Sequence, residues 1–223
     1  MTMRVAIGVF AEPPLPGRCR RKLLTAHAAE WAAGLYAAML RDTLDGLLSI
    51  DASEYLVFAE DEEITQTLRR HVPGPWEIVT GVPDASRALL RLGAAEGLAI
   101  LARSDAPSAP TDPILETLAS SGDDPFVVLG PTEEGHAWLL GARGLAERAG
   151  SGDALHIVDE LPWALPELRH TMRVRCTRIG MTLHELPSAT IVEEPSGVLA
   201  MFDELRRHPE RAPRTAQFVA TRA

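Results

Sequence analysis

The feature that most constrains this chain is a repeated exchange of hydrophobic period. Short apolar runs rich in β-branched residues alternate with segments whose apolar residues recur at three and four positions, the respective marks of buried strands and of helices. The first run, residues 4–11, carries Val5, Ile7 and Val9, and Glu12-Pro13-Pro14-Leu15-Pro16-Gly17 then breaks regularity. A long helix is predicted over 26–48, where Trp31, Leu35 and Met39 recur at i+4 and Leu40, Leu44 and Leu47 widen the same face. Strand 55–59, helix 62–71, strand 76–79, helix 85–95, strand 98–102, helix 113–120 and strand 126–130 follow. The last third is less regular, with a strand at 137–140, a helix around 165–175, a strand at 182–186 and a helix at 198–207. After His208 the chain reads as a frayed polar tail.

Strands that alternate with helices at this spacing imply crossover connections. The fold class is therefore α/β: a single-domain three-layer α/β/α architecture over residues 1–208 with a mainly parallel sheet, followed by the tail at 209–223. No repeat, low-complexity block or linker divides the chain, and 223 residues are enough to bury one full core.

Charge and cysteine content narrow the function. With 31 acidic against 22 basic side chains the formal net charge is -9, which argues against nucleic acid as a general partner. No apolar run approaches the roughly 20 residues of a membrane span. Met1-Thr2-Met3-Arg4 runs into the first strand with no signal-peptide layout. Cys19 and Cys176 are too few for a disulfide framework or a zinc site. These features fit a cytoplasmic domain that handles small molecules.

In open α/β sheets ligands bind at the carboxyl ends of the strands, which directs attention to three loops. The loop after the first strand, Pro16-Gly17-Arg18-Cys19-Arg20-Arg21-Lys22-Leu23, concentrates cations in an acidic protein, and Lys22 is its only lysine. Guanidinium forks beside a glycine suit phosphate oxygens, and a following helix N-terminus would add its dipole. The plain alternative is a solvated basic turn, and neither G-x-x-x-x-G-K-[ST] nor G-x-G-x-x-G is present. The loop after the fourth strand, Ala102-Arg103-Ser104-Asp105-Ala106-Pro107, offers a carboxylate suited to a divalent cation or, equally, to a turn. After the fifth strand, Gly130-Pro131-Thr132-Glu133-Glu134-Gly135-His136 holds a candidate general base or an ordinary solvated acidic turn. Late in the chain Glu193 and Glu194 again place acids at a strand end, where helix-dipole stabilisation alone would also favour them. Arg169 and Arg173 would share a helix face, most simply an acid-paired one. Trp138 and Trp163 stand for core packing, a substrate wall or the face of a homodimer, core being the commonest fate of Trp.

Taken in order, these segments resemble the bacterial DUF2064 proteins, glycosyltransferase-like members of the nucleotide-diphospho-sugar transferase (GT-A) superfamily. The basic loop matches that group's P-G-R-x-K-T-R-L signature with Arg for Lys and Lys for Arg. Tyr36-Ala37-Ala38-Met39-Leu40-Arg41-Asp42-Thr43-Leu44 fits the pattern that closes its first helix. Arg103-Ser104-Asp105-Ala106-Pro107 corresponds to G-S-D-C-P, and residues 128–141 correspond to V-L-G-P-A-x-D-G-G-Y-Y-L-I-G. The likeness spans about Arg4 to His208. Departures cluster at the site: D-G-G becomes Glu134-Gly135-His136, W-S-T becomes Trp163-Ala164-Leu165, and D-V-D-T-P-E-D-L becomes residues 191–198 with one aspartate lost and another replaced by Glu.

The resemblance implies a GT-A-type transferase that uses a nucleotide-activated sugar and a small-molecule acceptor. Gly17, Arg18, Arg20 and Lys22 would hold the phosphates, with Arg87 as a further phosphate contact. Asp105 and Glu193 would carry Mg²⁺ or Mn²⁺ across the diphosphate. Glu134 or His136, the catalytic candidates, would contact the acceptor, and either would take its proton. Nucleotidyl transfer from an NTP, with release of pyrophosphate, is the alternative within this fold. A nucleotide-binding or scaffold protein that has drifted from catalysis is the alternative outside enzymes.

Overall fold

A computed structural model describes residues 4–94, 97–121, 124–145 and 157–222. Met1 to Met3, and Ala95 at the end of one predicted helix, lie outside the described residues. Seven strands form one sheet: β1 (Val5–Phe10), β2 (Glu54–Ala59), β3 (Glu77–Thr80), β4 (Leu98–Arg103), β5 (Phe126–Pro131), β6 (Ala137–Arg143) and β7 (Thr182–Glu185), in the order β3-β2-β1-β4-β6-β5-β7. β1 pairs in parallel with β2 and β4, β2 with β3, and β5 with β7. β6 runs antiparallel to both β4 and β5, because the tight turn through Thr132 and Gly135 returns the chain as a hairpin instead of a crossover. The mainly parallel α/β expectation thus describes the molecule.

Helices α1 (Ala29–Leu47), α2 (Glu62–Arg69), α3 (Ala85–Arg91), α4 (Asp112–Ser120), α5 (Leu168–Ile179), α6 (Pro195–Arg207) and α7 (Pro213–Arg222) cover the two faces. Val5, Ile7 and Val9 of β1 pack into a core with α1, while Ala6 faces a second core with α3 and α5. Burial on both faces explains why β1 reads as a continuous apolar run. A Cβ at Gly8 would lie 2.5 Å from Phe58 Cε2, so the second face leaves no room there for a side chain.

Element ends differ from the sequence expectation for local reasons. The long helix begins at Ala29 because residues 21–25 wind as a separate 3-10 turn. α5 starts after Pro166 instead of at Leu165 and ends at Gly180, whose φ of 65° provides the left-handed cap. The segment after His208 is not frayed: α7 packs on α1, with Ala212 and Thr215 fully buried and Phe218 edge-on to Trp31 at 5.8 Å. Buried Asp42 of α1 anchors it, accepting from the Thr215 amide at 2.7 Å and the Thr215 hydroxyl at 2.8 Å. Among the described residues no helix is long and apolar enough to cross a membrane.

Candidate functional site

The chain leaves β1 for β2 and β3 on one side, then returns to β4 on the other side of β1. This reversal of strand order opens a crevice beyond the carboxyl ends of β1 and β4. A cleft of about 1030 Å³ occupies that place, with Glu12, Arg18, Arg21, Arg103, Trp163 and Glu193 among its walls.

Its floor is an ion-pair network centred on Asp105, whose side chain is 2% exposed. Arg103 Nε donates to Asp105 Oδ1 and Arg103 Nη2 to Oδ2, both at 2.8 Å, a bidentate fork. Arg20 Nη1 donates to the same Oδ2. The Val192 amide donates to the Asp105 carbonyl at 2.8 Å, which brings the loop before α6 to the end of β4. Glu193 on that loop accepts from Arg103 Nη2 at 3.2 Å and from Lys22 Nζ at 2.8 Å. Burial alone would raise the Asp105 carboxyl, but the Arg103 and Arg20 charges outweigh it and hold the group well below the usual carboxylate range. Burial likewise opposes ionisation of Glu193, and the Lys22 hydrogen bond and Arg103 charge again win, lowering it.

Backbone geometry sorts the cations of the basic loop. Gly17 turns at φ 73° and Arg20 adopts the left-handed region at φ 44°, uncommon for a side chain of this size. Glu12 holds Arg20 in that conformation, accepting from its amide at 2.9 Å and from its Nε at 3.0 Å. The Arg20 guanidinium also lies over the Tyr36 ring, 5.0 Å from its centroid. Tyr36 Oη accepts from the Glu12 amide and shares a hydrogen bond with Ser104 Oγ, both at 2.9 Å. Burial, the dominant influence, pushes the Tyr36 phenol up to about 12. It pushes the Cys19 thiol up to about 11, leaving that residue no nucleophile at neutral pH.

Arg20 is therefore a structural clamp, and Lys22, tied to Glu193 and Glu194, stands outside the cleft lining. Arg18 and Arg21 are exposed, line the cleft and form no ion pair among the described residues. Arg21 was not among the predicted contacts. It sits in the same cationic run, and only the fold of the loop distinguishes it from Arg20.

The other predicted residues fall elsewhere. Arg87 is exposed on α3, outside the cleft lining, with its amide capped by Asp84. Glu134 and His136 occupy the β5–β6 turn, also outside that lining. The register Ala102↔Leu139 nevertheless sets the start of β6 at the sheet edge where β4 ends. Gly135 abuts Pro166, close in sequence to the cleft residues Trp163 and Ala164. His136 Nδ1 is buried without a hydrogen-bond partner. Trp163 is half-buried in the cleft wall, whereas Trp138 is core and donates to the Pro187 carbonyl at 3.3 Å. Arg169 and Arg173 both pair with Glu185 of β7, the acid-paired face expected of them.

The donor set does not fit the Mg²⁺ or Mn²⁺ expected at Asp105 and Glu193. Both oxygens of Asp105 and both of Glu193 already accept from guanidinium or ammonium groups. A divalent cation there would displace Arg103, whose side chain is 10% exposed and whose charge would oppose it. Among the described residues no cluster of three or more His, Cys, Asp or Glu is arranged to hold a metal ion.

No family model and no curated protein matches the chain, so the DUF2064 likeness is carried by its motifs alone. Solved structures do match. A protein from Desulfovibrio desulfuricans G20 described as a nucleotide-diphospho-sugar transferase superposes with a TM-score of 0.82 at 17% identity, covering 99% of this chain and 95% of that one. The 4-diphosphocytidyl-2C-methyl-D-erythritol synthase of Anaerococcus prevotii DSM 20548 gives a TM-score of 0.55 at 10% identity, covering 92% of this chain and 99% of that one. The chain has the fold of the nucleotide-diphospho-sugar transferases.

Proposed function

We propose that the chain is a transferase that draws on a nucleotide-activated sugar. The observation that carries this reading is the pair of uncommitted guanidiniums, Arg18 and Arg21, on a cleft at the strand-order reversal of this fold. They offer two bidentate donors to a diphosphate, with Gly17 at φ 73° giving the backbone close approach.

In the reaction, the bond between the sugar's anomeric carbon and the diphosphate oxygen breaks, and the acceptor oxygen bonds to that carbon. Negative charge grows on the departing diphosphate, where the Arg18 and Arg21 guanidiniums stabilise it more than they stabilise the ground state. Trp163 supplies a flat wall for a ring of substrate. Glu134 and His136, on the turn behind the segment of Trp163, are the groups for the acceptor side and for its proton. The nucleoside diphosphate leaves.

The test is to follow what is consumed when the protein is given nucleotide sugars or NTPs with a mixture of small acceptors. This reading expects release of nucleoside diphosphate from a nucleotide sugar. Pyrophosphate released from an NTP would replace it with nucleotidyl transfer. Nucleotide binding without turnover of either substrate class would leave a binding protein.

A further inference from the structure

We propose that the Arg103 guanidinium occupies the place of a divalent cation, so that the cleft takes the diphosphate of its nucleotide without metal. This rests on the reading of the cleft as a nucleotide site and names the cation that serves it. Three observations carry it.

First, position: Arg103 bridges Asp105 and Glu193, the two acids that would otherwise be the ligands of an ion. It donates through Nε at 2.8 Å and through Nη2 at 2.8 and 3.2 Å. Second, permanence: burial disfavours the charged form of Arg103, but Asp105 more than compensates and raises its affinity for the proton. The charge is therefore fixed at every pH at which the protein folds. Third, spare donors: neither Arg103 Nη1 nor Arg20 Nη2 makes a hydrogen bond among the described residues, and both residues line the cleft.

The acids therefore orient the guanidiniums, and the guanidiniums meet the phosphates. Asp105 and Glu193 are held by cations, and Glu12, another acid of the lining, is engaged by Arg20. With Glu60, the lining has four acids against the four arginines Arg18, Arg20, Arg21 and Arg103, so Arg18 and Arg21 offer a diphosphate unpaired donors within a lining of balanced charge. A guanidinium differs from an ion in one functional respect: it needs no loading, so the site is complete in the folded chain.

The experiment uses the full-length protein with Mn²⁺ alone and with a panel of UDP, CDP, GDP and ADP, each titrated calorimetrically in EDTA and again in Mn²⁺. The expected result is no stoichiometric Mn²⁺ site in the free protein, seen as an unquenched Mn²⁺ EPR signal. Nucleotide dissociation constants should agree within about twofold between the two conditions. Arg103→Gln should weaken nucleotide binding in EDTA by roughly tenfold or more, and Arg103→Lys should do so less, since it keeps the charge and loses the fork. A stoichiometric Mn²⁺ site, or nucleotide binding at least tenfold tighter in Mn²⁺ (about 1.4 kcal/mol), overturns this proposal and leaves the nucleotide reading standing. No binding by any nucleotide in either condition overturns the nucleotide reading and this proposal with it. The wild-type comparison needs no variant, so a poorly folded mutant cannot decide the outcome.

Discussion

Asp105→Ala is expected to destabilise the protein by about 3–5 kcal/mol, the cost of leaving buried cations without their counter-charge. For a domain of this size that is a fall in Tm of roughly 6–20 °C. The reason lies in the geometry: the Arg103 and Arg20 side chains are 10% and 13% exposed, and Asp105 takes three of their N–H groups. An aspartate kept to ligate a cation would behave in the opposite way, since removing an unpaired acid relieves repulsion. Urea denaturation of the wild type and the variant distinguishes the two.

The same residue sets an acid limit on stability. Its folded carboxyl titrates well below the usual carboxylate range. The stabilisation is therefore complete above about pH 4, where the unfolded carboxyl is ionised, and is lost as pH falls toward the folded value. Asp105→Asn should flatten the stability profile below about pH 4 and leave its slope at neutral pH unchanged. A variant with the wild-type acid slope would assign that slope to other groups.

Gly135→Ala is the second change with a large expected effect, about 2–4 kcal/mol of lost stability. Gly135 turns at φ 94°, where L side chains are strained, and an added Cβ would lie 2.4 Å from the Pro166 carbonyl oxygen. Neither partner yields easily, because both are backbone and the Gly135 carbonyl accepts from the Arg169 amide at 3.2 Å, tying the turn to the start of α5. The neighbouring Glu134→Ala, at an exposed position, should change stability by less than about 0.5 kcal/mol. If the turn positions the acceptor side, Gly135→Ala should also raise the acceptor KM more than that of the nucleotide sugar. Equal stability of Gly135→Ala and wild type would show that the turn relaxes freely.

Most of the architecture is legible in the sequence because hydrophobic period reports burial, and a three-layer fold buries its central strands on two faces. β1 and β4 are unambiguous for that reason. Strand direction is another matter: period 2 is the same for parallel and antiparallel strands, so β6 declared its existence without its orientation. The turn through Thr132 and Gly135 was the available clue. α7 was hidden because the apolar residues it turns inward, Ala216, Phe218 and Val219, are few and the best-buried positions at its start are small or polar. Ala212 and Thr215 are fully buried, yet neither resembles a core residue in a hydropathy pattern.

The site was legible in outline and misread in detail. The acids after the fifth strand lie outside the cleft lining, whereas the arginines after the first strand and the acids Asp105 and Glu193 come together in the cleft. Their pairing is decided in three dimensions, through the loop from β7 that delivers Glu193. One signal was present in the chain itself. Arg103 closes β4 and Asp105 stands two residues on, in the turn that follows, so opposite charges lie close together in the sequence at one strand end. Within the basic loop, which has no period, no sequence rule separates engaged Arg20 from uncommitted Arg18 and Arg21.

The most direct test of the account is thermal stabilisation by nucleotides. The wild type, Arg18→Ala and Arg21→Ala would be melted with a panel of nucleoside diphosphates, nucleotide sugars and NTPs at millimolar concentration. A ligand at about 100 times its Kd should stabilise the wild type by roughly 2.7 kcal/mol, a melting shift of several degrees. The account predicts such a shift for a nucleoside diphosphate or its sugar, retained in EDTA and sharply reduced in both variants, whose unliganded melting points stay at the wild-type value. No shift with any nucleotide, or an undiminished shift in either variant, would contradict it.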